Sequence, residues 1–364
     1  MSKKFIVSII TLLIVGLGAG AAIFFAKGYT FSTTEKRIVG TGIITIKSEP
    51  DAASVFVDGH LTTATNATVS SLPAKTYSIK VSKEGFIPWE RSVTVREGLV
   101  TDLKLTLFPA IPTIYPLTFS GVLNPILSAD GSKLAYLVSG GKKPGVWVWT
   151  MAKNQPISFA RSSEPHQIAS NTTIDYSKAI LKWSPDSKQV LATIGNNNFL
   201  LDSDNLNSEP RDITPVMDAT MKSWEDDTKA KDISRIDTVK DRNLRKIASD
   251  SALIKWSPDE TKFIARLPDG QVDLKVYDLE DGKNYPLVKA MDYMWLPDSR
   301  HIILVEDSAI SIIDFDGTNK AVIYAGKFDS KAVFPWPDSS RLVIISSFPT
   351  PTASEPNFYG INLR

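Results

Sequence analysis

The chain has 364 residues, 43% hydrophobic and 22% charged, with 41 basic and 40 acidic side chains. That length allows two or three domains, and the composition is that of folded protein. Lys3, Lys4 and Lys27 are the only charges in the first 27 residues, leaving 38 basic against 40 acidic side chains beyond them. A near-neutral body excludes a general nucleic-acid binder, which needs a concentrated basic surface. The absence of cysteine excludes disulfides, thiolate zinc sites and a cysteine nucleophile.

Phe5 to Ala26 carries no charge. As a helix its 22 residues would extend roughly 33 Å, against about 30 Å for a bilayer core. The leading lysines favour a cytoplasmic N-terminus, so the expectation is a single-pass anchor (1–27) with the rest extracytoplasmic. A signal peptide cut at Ala19-Gly20-Ala21 is the rival, but Ile23-Phe24-Phe25 continues the apolar run beyond that cut. Residues 28–40 are polar without clear period and read as a linker.

From Gly42 the chain alternates. Ile44 and Ile46, then Tyr77, Ile79 and Val81, then Val93 and Val95, then Leu103, Leu105 and Leu107 are spaced by two. That period puts one set of side chains inward, and several short strands predict a small antiparallel sandwich over 41–108. The segments Ile46–Gly59, Leu72-Pro73-Ala74, Tyr77–Val81 and Glu84-Gly85-Phe86 resemble the PEGA domain family, with a departure at Lys75, where the family motif has glycine. The resemblance implies a surface β module of envelope proteins and no chemistry.

Beyond residue 112 one turn recurs: Leu127-Ser128-Ala129-Asp130, Trp183-Ser184-Pro185-Asp186, Trp256-Ser257-Pro258-Asp259, Trp295-Leu296-Pro297-Asp298 and Trp336-Pro337-Asp338. An apolar strand follows each, and the aspartates lie 56, 73, 39 and 40 residues apart. Intervals near 40 suit four-stranded propeller blades. The prolines preset the turn and the aspartates accept hydrogen bonds from the following backbone, so Asp130, Asp186, Asp259, Asp298 and Asp338 read as turn stabilisers rather than ligands. Lysine or arginine then begins the second strand from a solvated edge. With these repeats, 112–364 resembles the TolB-like class of β-propeller. Five blades are expected, the last completed by Ile114–Phe119, so that no sheet edge is left open there. A sixth, degenerate blade in the 73-residue interval is the alternative. Within it, 217–248 is charged and free of glycine and proline, and predicts inserted helices.

The fold class is thus mainly β: an N-terminal transmembrane helix, a PEGA-like sandwich and a propeller of about five blades with a helical insertion. No nucleophile elbow, phosphate loop or zinc-protease signature occurs. His60, His166 and His301 fall in separate modules, so no catalytic, cofactor or metal site is assigned. Candidate partner contacts are Met221, Trp224, Ile233 and Ile236 on the insertion, and Trp147 and Trp149, which share one face of a strand and would otherwise be core. The expected function is a membrane-anchored binding or scaffold protein for an envelope protein or polymer. A propeller-based glycan- or peptide-active hydrolase is the alternative.

Overall fold

The structure is a computed structural model that describes residues 3–26, 29–32, 37–151, 164–251, 253–266, 274–348 and 355–364. The chain divides into two units, Met1–Ala110 with Arg364, and Ile111–Leu363. Part of the Ser347–Pro356 loop, 349–354, lies outside the described residues.

In the first unit, helix α1 spans Lys3–Ala26. Among the described residues no helix is long and apolar enough to cross a membrane. Strands β1 (Tyr29–Ser32), β2 (Arg37–Glu49), β3 (Ser54–Val57), β4 (His60–Ala64), β5 (Ala67–Pro73), β6 (Thr76–Ser82), β7 (Trp89–Thr94) and β8 (Val100–Thr106) follow. They form two four-stranded sheets, β4-β3-β6-β7 and β1-β2-β5 with β8 beside β2. The alternating residues do meet inside: Ile44, Ile46, Val55, Tyr77, Ile79, Val81, Val93 and Leu105 belong to one buried cluster.

Within the stretch read as a linker (28–40), Tyr29–Ser32 pairs with Arg37–Gly40 in an antiparallel ribbon. Its pairing is made by main chain, which leaves little trace in side-chain pattern. The sandwich, expected to be antiparallel, is not purely so, since β2 and β8 run parallel from Ile43↔Val100 to Glu49↔Thr106. Alternation reports which face a residue occupies and says nothing of strand direction. Lys75 occupies the departure from the family motif and pairs with Asp58 at 2.9 Å, while the amide of Ser78 donates to the same carboxylate. Asp58, in the left-handed region at φ 49°, is thereby held from two sides.

The second unit begins with β9 (Ile114–Pro116). Blade 1 is β10 (Leu123–Leu127), β11 (Lys133–Val138), β12 (Gly145–Thr150) and β13 (His166–Ser170). Blade 2 is β14 (Ile180–Trp183), β15 (Gln189–Ile194), β16 (Asn197–Asp202) and β17 (Arg211–Asp212). Helices α2 (Met217–Thr238) and α3 (Arg242–Asp250) intervene. Blade 3 is β18 (Leu253–Trp256), β19 (Lys262–Arg266), β20 (Lys275–Asp278) and β21 (Asn284–Pro286). Blade 4 is β22 (Asp292–Trp295), β23 (His301–Val305), β24 (Ala309–Asp314) and β25 (Ala321–Ala325). Blade 5 is β26 (Val333–Pro335), β27 (Arg341–Ser346) and β28 (Asn357–Asn362), and β9 pairs with β28 through Tyr359↔Pro116 and Ile361↔Ile114 as its fourth strand.

Each blade is buried on both faces, so its central strands read as nearly unbroken apolar runs. In β11, Ala135 and Leu137 pack toward blade 2 with Trp183, Val190 and Leu201. Leu134 and Tyr136, offset by one, pack toward blade 5 with Trp336, Val343 and Phe358. Ile264 and Val276 of blade 3 meet Trp295, Ile302 and Leu304 of blade 4 in the same way. Between blades 2 and 3 the sheets do not share a cluster among the described residues. Leu191 and Leu200 of blade 2 pack on Met217, Met221 and Trp224, and Phe263 and Tyr277 of blade 3 pack on Leu244, Ala248 and Ile236. The insertion therefore covers two sheet faces that would otherwise be wet. Among the described residues of the second unit there is no sixth sheet.

Candidate interaction surfaces

The five repeated turns share one construction. Asp130 accepts from the Ser128 hydroxyl at 2.6 Å and the Ser132 amide at 3.0 Å. Asp186 accepts from Ser184 at 2.6 Å and the Lys188 amide at 3.1 Å, and Asp259 from Ser257 at 2.7 Å and the Thr261 amide at 3.0 Å. Asp298 and Asp338 accept from the amides of Arg300 and Ser340. The Ser184 hydroxyl is the first cause holding Asp186 below the usual carboxylate range. At Asp130 and Asp259 burial works the other way, and the hydroxyl and amide donors outweigh it. The carboxylates sit apart on separate turns, and among the described residues no group of His, Asp and Glu could hold a metal ion.

The residue after each aspartate takes a left-handed backbone: Gly131, Ser187, Glu260, Ser299 and Ser339 lie at φ 58–71°. In two blades this residue also joins neighbours. The Asp130 amide of blade 1 donates to Ser187 Oγ of blade 2 at 3.1 Å, and the Asp259 amide of blade 3 to Ser299 Oγ of blade 4 at 3.0 Å. The repeated tryptophans add a second tie. Trp183 Nε1 donates to the Ile126 carbonyl of blade 1 at 3.1 Å, and Trp295 Nε1 to the Lys255 carbonyl of blade 3 at 2.9 Å.

Lys188 is exposed as the repeat predicts, but Lys262 and Lys133 are drawn in. Lys262 is 6% exposed, with its ammonium over the Phe315 ring of blade 4 at 4.8 Å. Lys133 reaches Ser203 Oγ at 2.8 Å and Asp204 at 2.6 Å in blade 2. The long stems lie in the seams between sheets and carry the charge to the rim. In blade 4 the same position is His301, buried at 2% exposure, with Nδ1 2.6 Å from Asp298 and Nε2 3.3 Å from Asp314. Burial alone would lower this imidazole's pKa, but the two carboxylates raise it to about 9. His301 and Asp314 face each other directly across the β23–β24 ladder. Alignment of the blade strands would have exposed that pairing in the sequence.

The sequence-derived contact candidates fall in different places. Trp149 is buried in the seam between blades 1 and 5, edge-on to Trp336 at 5.4 Å. It therefore presents no free surface. Trp147 is half-buried on the same side, and its indole donates to the Lys143 carbonyl. Met221 and Trp224 are half-buried on blade 2, and Ile236 is half-buried on blade 3. Ile233 is 59% exposed. Met221 and Trp224 also border a cavity of about 640 Å³ with Trp183, Pro185 and Lys182.

A second and larger cavity, about 720 Å³, lies elsewhere. Val122, Asn124 and Ile126 of blade 1, Ile180 of blade 2, and Phe328 and Lys331 before blade 5 are among its lining residues. The first strands of blades 1 and 2 approach one another, as do those of blades 3 and 4, and the cavity lies beside the first strands of blades 1 and 2. Exposed apolar side chains stand at or before the start of four inner strands, Phe119, Ile180, Leu253 and Met291, and Ile180 also lines the cavity. Sequence reading missed this set. Its only trace is an apolar residue at, or just before, the start of an inner strand.

Residues 41–111 match the PEGA domain model. No curated protein sequence matches the chain. Among solved structures, TolB from Acinetobacter baumannii is 14% identical, with a TM-score of 0.24, over 80% of this chain and 60% of its own. A protein described as TolB from Agrobacterium tumefaciens is 17% identical, with a TM-score of 0.24, over 64% and 76%. A luciferin-regenerating enzyme is 10% identical, with a TM-score of 0.32, over 69% and 95%. Residues 41–111 are thus similar to the PEGA domain family, and the repeated turns and the order of the sheets make the second unit a β-propeller of five blades.

Proposed function

We propose that this is a binding or scaffold protein whose propeller receives an envelope protein or polymer at the cavity beside the first strands of blades 1 and 2. The observation that carries the reading is the larger cavity with the exposed Ile180 in its lining, together with exposed apolar Phe119, Leu253 and Met291 at or before the starts of other inner strands. Exposed apolar side chains beside a concave site favour contact with a partner. The contact is noncovalent, with blades holding a rigid frame and connections supplying the surface. The uncharged run from Phe5 to Ala26 supports a retained anchor with a cytoplasmic N-terminus, placing the sandwich and propeller outside the membrane.

Site-specific photo-crosslinking in native envelopes tests the proposal. A crosslinker at Ile180 or Met291 should form a discrete adduct that disappears with Leu253→Asp in the same chain. Adducts formed from Ile233 and none from Ile180 or Met291 would move the contact to the insertion and reject this reading. Deleting the insertion would be a poor test, because it would expose the apolar faces of blades 2 and 3.

A further inference from the structure

The ties between blades are unevenly distributed. The blade 1–2 and blade 3–4 seams each have a tryptophan–carbonyl bond and a serine–amide bond. At the blade 2–3 seam both are missing, as they are between blades 5 and 1, where Leu127 and Gly131 hold those positions, but blades 5 and 1 share a buried cluster and blades 2 and 3 share none among the described residues. Trp256 Nε1 is buried and has no partner among the described residues. Its counterparts reach the preceding blade, but here the preceding blade is held away by helices. The serine position is Glu260, and its carboxylate accepts from Arg235 Nε of α2 at 2.7 Å. The residue that elsewhere binds the neighbouring blade therefore binds the insertion instead.

The insertion is a strut fixed at its ends. The N-terminal turns of α2 rest on blade 2 through Met217, Met221 and Trp224. Its C-terminal end rests near blade 3 through Ile236 and the Arg235–Glu260 pair. Residues 225–231 between these anchors are all exposed, and α2 has no buried side chain. A helix without a buried face is held by little apolar area and gives way before a packed sheet seam does.

We propose that the ring opens at the seam between blades 2 and 3, with the Arg235–Glu260 pair as its latch. Opening would move blade 2 away from blade 3. It needs no covalent step and leaves the ties of the blade 1–2 and blade 3–4 seams intact. The inference is independent of which face binds a partner.

Hydrogen exchange by mass spectrometry on the full chain tests it. Amides of β14 and β18 should exchange faster than those of β10 and β22, the inner strands of the blades that do not border the blade 2–3 seam. Arg235→Ala should raise exchange in β18 about two- to fivefold, the range expected for loss of a partly exposed ion pair. The charge exchange Arg235→Glu with Glu260→Arg should restore the original rate. Lys229→Ala, which removes a pair with Glu225 inside α2, should change nothing at β18. Equal protection of all four inner strands would overturn the proposal. So would an identical response to Arg235→Ala and Lys229→Ala. Should Arg235→Ala unfold blade 3 outright, the wild-type comparison alone decides.

Discussion

His301 Nδ1 lies 2.6 Å from the Asp298 carboxylate inside blade 4, and the other ring nitrogen lies 3.3 Å from Asp314. Burial opposes the imidazolium, the carboxylates favour it, and the carboxylates prevail with a pKa of about 9. Unfolded, the same ring titrates near 6.5. Its contribution to stability is therefore complete below about pH 6.5 and is lost as pH rises through about 9. Asp298 behaves oppositely. Burial raises its pKa, but His301 and the following amide lower it overall, so its contribution fades as pH falls below the ordinary carboxylate range. The urea midpoint should drop between pH 7 and 10 in the wild type, and this drop should be absent in His301→Asn. His301→Leu should cost about 3–5 kcal/mol at pH 7, because it leaves two buried carboxylates without their cation. A wild-type midpoint flat across that alkaline range would contradict the assignment.

The two tryptophan positions offer an internal control. Trp295→Phe removes the donor to the Lys255 carbonyl, whereas Trp256→Phe removes an indole N–H that has no acceptor. Loss of aromatic bulk is common to both. Trp295→Phe should be less stable than Trp256→Phe by about 1 kcal/mol, the net value of one hydrogen bond. Denaturant titration of both variants measures the difference.

The sandwich has its own core. Ile46 is fully buried within it. Ile46→Ala should destabilise the first unit by about 2–5 kcal/mol. Because the chain divides at Ala110, differential scanning calorimetry should show a lowered transition for this unit and an unmoved one for the propeller.

Ile180 and Met291 are 71% and 62% exposed. Replacing either with aspartate should move the propeller's stability by less than about 0.5 kcal/mol, as for surface positions without structural ties. Partner capture should fall nonetheless. A large loss of melting temperature would instead give these side chains a packing role.

Much of the propeller was readable because one constraint is written five times. A turn needing Asp130, Asp186, Asp259, Asp298 and Asp338 at the same offset leaves a local pattern, and strands buried on both faces leave apolar runs. What escaped depends on contacts between blades. The burial of Lys262 under Phe315 joins residues 53 apart, and the broken seam at Glu260 is visible only once Ser187 and Ser299 are seen to bind neighbouring blades. Parallel pairing of β2 with β8 escaped because period-two patterning is blind to direction. The cavity beside Ile180 escaped because its lining is scattered in sequence, with Asn124 and Ile126 meeting Phe328 and Lys331 only once the blades are packed.

The pairing of β9 with β28 sets the order of events in synthesis. Ile114 is made 247 residues before its partner Ile361, so the early strand must await its distant partner. Loop closure over that span is slow compared with hairpin formation. Until it occurs, β9 and the β28 edge of the last blade stay open to strands of other chains. Copies made close together would thus be prone to exchanging these strands, and chaperone protection should matter most in that interval.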